Sequence, residues 1–232
     1  MQLAGNMNYP FPPATIFFDL DGTLIDNFTA IHKCYADIAR TLGKEPQSYE
    51  TLRATVGGSI HLTLSRLIGA ELADEGCRRF REHFNDVMFD GVFTLPGVEW
   101  ILKNLRGNGY KTGVFTNKDY DASVKLLKHL KLDLFFNYVF GTNMPDMPWR
   151  KPNKEYSDYV LEKSNSTPQT AMLIGDSPFD IAAAKTVGMP VACVVTGTHE
   201  PEPLVEATGT PNAVFKDMFA LGNQIFGFKL PN

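Results

Sequence analysis

Short apolar runs recur along the chain, and each of them ends in small or acidic polar residues. The first, ATIFFDLDGTLID over residues 14–26, stops at two aspartates and a glycine, which is typical of a buried strand that ends in a tight loop. Four later runs have the same form, namely KTGVFTN (111–117), YVFGT (138–142), AMLIGD (171–176) and PVACVVTGT (190–198). The pattern therefore predicts five buried strands with polar residues at their carboxyl ends.

Helical periodicity fills the intervals between these strands. The apolar residues of segment 98–108 fall on one helical face, and similar helices are predicted over 119–130, 153–164 and 179–187. The last of them ends before Gly188, which is a common helix stop. Strands that alternate with helices of this length predict an α/β fold with a Rossmann-like parallel sheet covered on both faces.

One long segment interrupts this alternation. It reads as four successive helices without a strand-like run between them, over 29–43, 48–56, 59–69 and 72–89. We interpret it as a helical insertion after the first strand, connected to the sheet by chain crossings near Asp26 and Pro96 and placed as a lid. The predicted organisation is a tail over 1–13, an α/β core over 14–26 and 94–232, and a helical cap over 27–93.

Chemically active side chains gather at the predicted strand ends. In an open parallel sheet, ligands bind beyond the carboxyl ends of the strands, so residues at these ends are expected to share one site. That site contains four carboxylates, one lysine and two small polar side chains. They are Asp19, Asp21, Thr116, Asn117, Lys151, Asp176 and Asp180.

This combination of side chains suits a magnesium and phosphate site. Several carboxylates cannot stay ionised side by side unless a cation offsets their repulsion. Mg²⁺ prefers hard oxygen ligands, usually one or two carboxylates together with substrate phosphate and water. The hydroxyl of Thr116, the amide of Asn117 and the ammonium of Lys151 are donors to phosphate oxygens.

The same residues lie in four motifs whose order is informative. The motifs are DLDGTL (19–24), VFTNK around Thr116, RKPNKEY around Lys151 and GDSPFD (175–180). Together they resemble the haloacid dehalogenase (HAD) superfamily, whose signature begins with DxDGT. The helical insertion also falls where that superfamily places its C1 cap. The resemblance implies an HAD core with an inserted helical C1 cap subdomain.

The resemblance also implies how the acids act. Asp19 is then the nucleophile that forms an aspartyl-phosphate, while Asp21 protonates the leaving oxygen and later activates water. Mg²⁺ is then held by Asp19, the backbone carbonyl of Asp21 and Asp176. Dehalogenases of the superfamily lack an acid at the position of Asp21, so its presence favours a phosphate ester as substrate.

The remaining residues receive supporting roles from the same resemblance. Thr116 and Lys151 are then catalytic groups that stabilise the transferring phosphoryl group, with Asn117 beside them as a further phosphate-binding residue. Asp180 is then a residue behind the site that orients Lys151 or a metal-bound water.

Within the superfamily, the chain looks most like the phosphoglycolate phosphatase group, because of the TNK triplet (116–118), the VGGS stretch (56–59) and the tail VVTGTHEPEPLVEA (194–207). We therefore expect a Mg²⁺-dependent phosphatase that hydrolyses a small phosphorylated metabolite, with 2-phosphoglycolate as the first candidate. Two alternatives remain open at this stage. One is a phosphomutase like β-phosphoglucomutase, and the other is a non-catalytic binding protein with the same fold.

Composition restricts the partners and the setting. Of 232 residues, 22 are Lys or Arg and 26 are Asp or Glu, so the slightly acidic chain gives no reason to expect nucleic acid as a partner. Without an apolar run near the roughly 20 residues that span a bilayer, no membrane partner is expected either. Three scattered cysteines favour a reducing, cytoplasmic location. The sequence leaves the oligomeric state open.

Overall fold

The computed structural model describes residues 14–145 and 147–231, so the predicted tail over 1–13 lies outside the described residues. Six strands form one parallel sheet with the order β5-β4-β1-β6-β7-β8, and β2 and β3 form a separate antiparallel pair. The strands are β1 (Thr15–Phe18), β2 (Ile25–Asp26), β3 (Phe93–Thr94), β4 (Lys111–Asp119), β5 (Tyr138–Thr142), β6 (Ala171–Gly175), β7 (Val191–Val194) and β8 (Val214–Phe215).

Helices connect these strands and cover the sheet. They are α1 (Phe28–Thr41), α2 (Tyr49–Thr55), α3 (Ile60–Ile68), α4 (Ala73–Val87), α5 (Val98–Gly107), α6 (Tyr120–His129), α7 (Lys154–Lys163), α8 (Pro178–Val187), α9 (Pro201–Thr208) and α10 (Met218–Phe226). The predicted α/β class with a parallel sheet and helical insertion is confirmed.

Strand β1 lies at the centre of the sheet and is buried on both faces. Its four residues, TIFF, are all buried. Because successive side chains of a strand point to opposite sides, both faces of β1 must be covered. Ile16 and Phe18 belong to the larger hydrophobic core, and Phe17 belongs to a second core with Phe115. Burial on both faces explains why the run lacks polar alternation.

The helical segment between β2 and β3 is tied to the core by a short pair of strands. Ile25 pairs with Thr94 and Asp26 with Phe93, so the outgoing and returning chains run side by side. Beyond this pair, α4 packs against α1 and α3. The sequence pattern did not predict β2 and β3, because a two-residue strand has no measurable periodicity. The domain boundaries at 26 and 94 stay predictions.

Other differences lie in the second half of the chain. The sequence reading assigned no elements after residue 198, but α9, β8 and α10 lie there and β8 adds the sixth strand to the sheet. Strand β4 also continues past Asn117 to Asp119, with a register shift against β5. None of the helices in the described residues is long and apolar enough to cross a membrane.

Candidate active site

The two aspartates of the DxDGT motif lie at the carboxyl end of the central strand. Asp19 directly follows β1, and its backbone N–H donates a 2.9 Å hydrogen bond to the carbonyl of Ile174 on β6. The chain then turns at Gly22, whose φ is +83°. A Cβ on Gly22 would lie 2.5 Å from Oδ2 of Asp176, so both the backbone conformation and the close approach require glycine.

Lys151 lies at the bottom of the site between two carboxylates. Its Nζ is 2.5 Å from Oδ1 of Asp180 and 3.1 Å from Oδ1 of Asp19, and its side chain is only 1% exposed. The other oxygen of Asp180 accepts hydrogen bonds from the N–H and hydroxyl of Ser177, at 3.1 and 2.6 Å. Asp180 therefore caps helix α8 and holds Lys151 with the same carboxylate.

Burial controls the charge of these groups. Burial raises the pKa of Asp19 from 3.8 to about 6, although the neighbouring Lys151 opposes this change. Burial, together with Asp19 and Asp180, raises the pKa of Asp176 well above its usual range. Burial by itself would lower the pKa of Lys151, but Asp180 and Asp19 raise it above its ordinary value. Lys151 therefore stays protonated beneath Asp19 and Asp176, and the pKa values of both of these carboxyl groups are raised.

Strand β4 contributes Thr116 and Asn117. Thr116 is buried, and its backbone carbonyl accepts a 3.0 Å hydrogen bond from the hydroxyl of Tyr156. The amide of Asn117 binds the backbone of Lys151 on two sides, accepting from its N–H at 2.7 Å and donating to its carbonyl at 3.1 Å. Asn117 therefore fixes the loop that carries Lys151, and its predicted contact with phosphate stays a prediction.

Asp176 lies beside Thr23, Gly197 and Thr198, which were not predicted as site residues. Its Oδ1 accepts a 2.9 Å hydrogen bond from the Thr23 hydroxyl, and its Oδ2 accepts a 3.3 Å bond from the backbone N–H of Thr198. Gly197 packs so closely that a Cβ there would lie 1.8 Å from Oδ2 of Asp176. The TGT sequence at 196–198 was the available signal, because it follows strand β7 at the same edge of the sheet.

Lys118 also lies in the site, although it was not predicted as a site residue. Its Nζ donates a 3.0 Å hydrogen bond to Oδ2 of Asp21, and it lies 4.7 Å from the centre of the Phe84 ring on helix α4. The lysine was visible in the TNK triplet, but its place in the site depends on the extension of β4 beyond Asn117. The seven residues predicted from the sequence come together, and Lys118 joins them.

A cavity of about 390 Å³ opens above the carboxylates. Its floor includes Asp19, Asp21 and Asp176, whereas helices α1, α3 and α4 and the loop before α3 contribute to its opposite side. The helical segment is fastened to the core beside this cavity, since Arg53 donates a 3.0 Å hydrogen bond to the carbonyl of Gly197. The inserted helices therefore cover the site from above.

Comparisons with known proteins agree with this arrangement. The family model of the haloacid dehalogenase-like hydrolases matches residues 16–194. A phosphoglycolate phosphatase from Rhodobacter capsulatus is 34% identical over 227 residues, covering 93% of this chain and 98% of the relative. Phosphoglycolate phosphatase 1 from Pseudomonas aeruginosa is 26% identical over 206 residues, covering 85% and 75%.

A solved structure extends the comparison to the fold. The crystal structure of a hydrolase from Pseudomonas syringae has a TM-score of 0.77 and 23% identity, covering 94% of this chain and 99% of that one. The chain belongs to the haloacid dehalogenase-like hydrolase family. The predicted resemblance to phosphoglycolate phosphatases and the prediction of a phosphatase enzyme are thereby confirmed.

Proposed function

We propose that the chain is a Mg²⁺-dependent phosphatase that hydrolyses a small phosphomonoester through an aspartyl-phosphate on Asp19. The observation that carries this proposal is the arrangement around Asp19, with Asp21 two residues away and Lys151 at 3.1 Å. A nucleophile, a second acid for the leaving group and a buried cation for the phosphoryl oxygens thus lie at the end of one strand.

Two chemical steps follow from these roles. In the first, a carboxylate oxygen of Asp19 forms a bond to phosphorus, the ester P–O bond breaks, and Asp21 gives its proton to the leaving alcohol. In the second, Asp21 takes a proton from water, the water oxygen bonds to phosphorus, and the bond to Asp19 breaks. Lys151 and Thr116 stabilise the negative oxygens of the phosphoryl group in both steps.

The donor set of the site fits Mg²⁺. Oxygens of Asp19, Asp176 and Asp180 lie within 4.8 Å of one another. Among the described residues, Oδ1 of Asp19 and Oδ1 of Asp21 are buried and accept no hydrogen bond, although Lys151 pairs with the former by charge. Asp19, Asp176 and the backbone carbonyl of Asp21 would hold the ion, since Asp180 is already bound to Lys151 and Ser177. Bound Mg²⁺ supplies positive charge that favours the transferring phosphoryl group.

The size of the cavity and the names of the relatives support 2-phosphoglycolate as the first candidate substrate. The inserted helices leave a space of about 390 Å³, which suits a metabolite better than a phosphorylated protein. The Rhodobacter capsulatus relative is named a phosphoglycolate phosphatase, and the similarity covers nearly the whole chain. The cytoplasmic location, and the expectation that neither nucleic acid nor a membrane is a partner, stay predictions.

Phosphate release from a panel of compounds with Mg²⁺ tests the proposal. The panel contains 2-phosphoglycolate, pyrophosphate, nucleoside monophosphates and sugar phosphates, and it is run with and without a chelator. We expect strong Mg²⁺-dependent release from a small phosphomonoester. If no compound releases phosphate but a sugar 1-phosphate isomerises with a bisphosphate primer, the enzyme is a mutase. Inactivity in both assays would support a non-catalytic protein.

Metal-free protein should lose stability as the pH rises through the carboxyl pKa values. Because burial raises the pKa of Asp19 from 3.8 to about 6, the folded state binds more protons than the unfolded state in this window. The contribution of Asp19 to the stability of the folded state is then largest below about pH 4 and is lost as the pH rises through about 6. Mg²⁺ replaces the lost protons, so we expect it to raise the melting temperature by about 5 °C at pH 7.5 and by about 1 °C at pH 5.

Calorimetry with and without Mg²⁺ checks this expectation, and Asp19→Asn is the matched control. The variant lacks one of the titrating carboxyls, so its metal-free melting temperature should fall less between pH 5 and pH 7.5. If Mg²⁺ raised the melting temperature equally at both pH values, the role of these carboxylates as ligands would be contradicted.

Gly197→Ala should weaken Mg²⁺ activation. The new Cβ would lie 1.8 Å from Oδ2 of Asp176, and the neighbouring backbone of Gly22 leaves that carboxylate little room to retreat. We expect the Mg²⁺ concentration for half-maximal activity to rise about 10- to 100-fold. Gly107→Ala is the control, because a Cβ at Gly107 would have no atom of the described residues within 4 Å, apart from its own helix backbone and chain neighbours. An unchanged Mg²⁺ requirement in Gly197→Ala would place the ion away from Asp176.

A further inference from the structure

Lys118 occupies the boundary between the core and the inserted helices. Its ammonium group contacts Asp21 at 3.0 Å on the core side and the face of Phe84 at 4.7 Å on the other side. The side chain is 10% exposed and lines the cavity above the carboxylates. A lysine whose side chain is so largely buried and lines the cavity is well placed to bind an anionic group that enters it.

The position of Lys118 relative to Asp21 indicates which part of a substrate it meets. In the proposed mechanism Asp21 protonates the ester oxygen, so the leaving group lies next to the Asp21 carboxylate. A cation 3.0 Å from that carboxylate is within reach of a substituent on the carbon that carries the ester oxygen. Lys118 therefore faces the leaving group, whereas Lys151 lies below the phosphoryl position between Asp19 and Asp180.

Two further basic residues of the cavity lining are less suited to this role. Arg81 is paired with Asp119 at 3.2 Å and its side chain is 47% exposed. Lys125 donates a 2.7 Å hydrogen bond to the Asn85 amide in an exposed position. Because exposed cations are screened by water, they discriminate weakly between charged and neutral ligands.

We propose that Lys118 is a specificity residue that binds a carboxylate on the carbon next to the phosphate ester. The substrate class is then the 2-phosphooxy carboxylates, of which 2-phosphoglycolate is the smallest. This inference rests on the proposed phosphatase function and names the group that selects its substrate. The carboxylate of the substrate takes a hydrogen bond from Lys118, and Phe84 shields that bond from water.

Two substrates of nearly the same shape, one with this carboxylate and one with a neutral amide in its place, test the inference. We would measure kcat/KM for 2-phosphoglycolate and for its neutral amide, phosphoglycolamide, with Mg²⁺. The wild-type enzyme should prefer the carboxylate by about 50-fold, which is typical for a hydrogen bond to a charged group. Lys118→Met should bring the ratio close to one, mainly through loss of activity on 2-phosphoglycolate.

Control variants separate substrate recognition from a structural role. Lys118→Arg keeps the charge and should retain much of the preference, whereas Lys118→Met loses it. Lys125→Met removes another lysine of the cavity lining and should keep the wild-type ratio. Damage to Asp21 or to the fold lowers activity on both compounds, so it leaves the ratio unchanged. A ratio preserved in Lys118→Met, or equally lowered in Lys125→Met, would overturn the inference.

The failure of the inference and the failure of the proposed function have different signatures. p-Nitrophenyl phosphate, which carries no carboxylate, serves as the reference substrate. If the wild-type enzyme hydrolyses it but shows no preference between the two glycolate compounds, or hydrolyses neither, the specificity role is rejected and the phosphatase stands. If none of the three compounds releases phosphate, both proposals are rejected.

Discussion

Asp19→Asn is expected to lower kcat for phosphomonoester hydrolysis by a factor on the order of 10⁴ or more. The amide has nearly the shape of the carboxylate but carries no charge, so it is a poor nucleophile toward phosphorus. At pH 7.5 the wild-type carboxyl group is largely ionised, since its pKa is about 6. Because the native group is already largely ionised at this pH, the fall in kcat measures the loss of the nucleophile.

Stability measurements separate this chemical effect from unfolding. Because burial disfavours the charged form of Asp19, the neutral amide should leave the melting temperature of metal-free protein at pH 7.5 unchanged or higher. Asp158→Asn is a matched control, since Asp158 lies on helix α7 and pairs only with the exposed Lys154 among the described residues. That variant should keep wild-type kcat. Activity of Asp19→Asn within tenfold of wild type would exclude Asp19 as the nucleophile.

The floor of the site could be read from the sequence because local pattern determines it. Asp19 follows an apolar run that is buried on both faces, and Asp176 follows another such run. The residue that follows such a strand lies at the carboxyl end of the sheet, where the ends of the parallel strands meet. A similar argument places Thr116 near this end, because the buried part of its strand stops there although β4 continues to Asp119. Neither placement needs knowledge of which strands are neighbours.

The walls of the site depend on packing that the pattern does not encode. Lys118 lies on the two-residue extension of β4 beyond Asn117, where its ammonium contacts Asp21 on one side and the ring of Phe84 from helix α4 on the other. Gly197 touches Asp176 because β7 is the neighbour of β6, which is a property of strand order. Contacts that loops make between distant parts of the chain have no periodic signal in one sequence.

Lys151→Met should affect both activity and stability, and the two effects can be separated. Removing the ammonium leaves the carboxylate of Asp180 buried without its cation, although Ser177 still donates to its other oxygen. Loss of one partner of a buried ion pair costs about 3–5 kcal/mol of unfolding free energy. The phosphoryl group also loses a donor in the transition state, so we expect kcat/KM to fall about 10³-fold.

The double variant Lys151→Met/Asp180→Asn distinguishes these two roles. The amide introduced in place of the Asp180 carboxylate carries no charge and keeps an oxygen that can accept from Ser177, so urea unfolding should recover at least half of the lost free energy. Activity should stay low, because no cation returns to the position beneath the phosphoryl group. Recovery of both stability and activity would mean that Lys151 only neutralises Asp180. Recovery of stability alone would show that the buried lysine acts on the substrate.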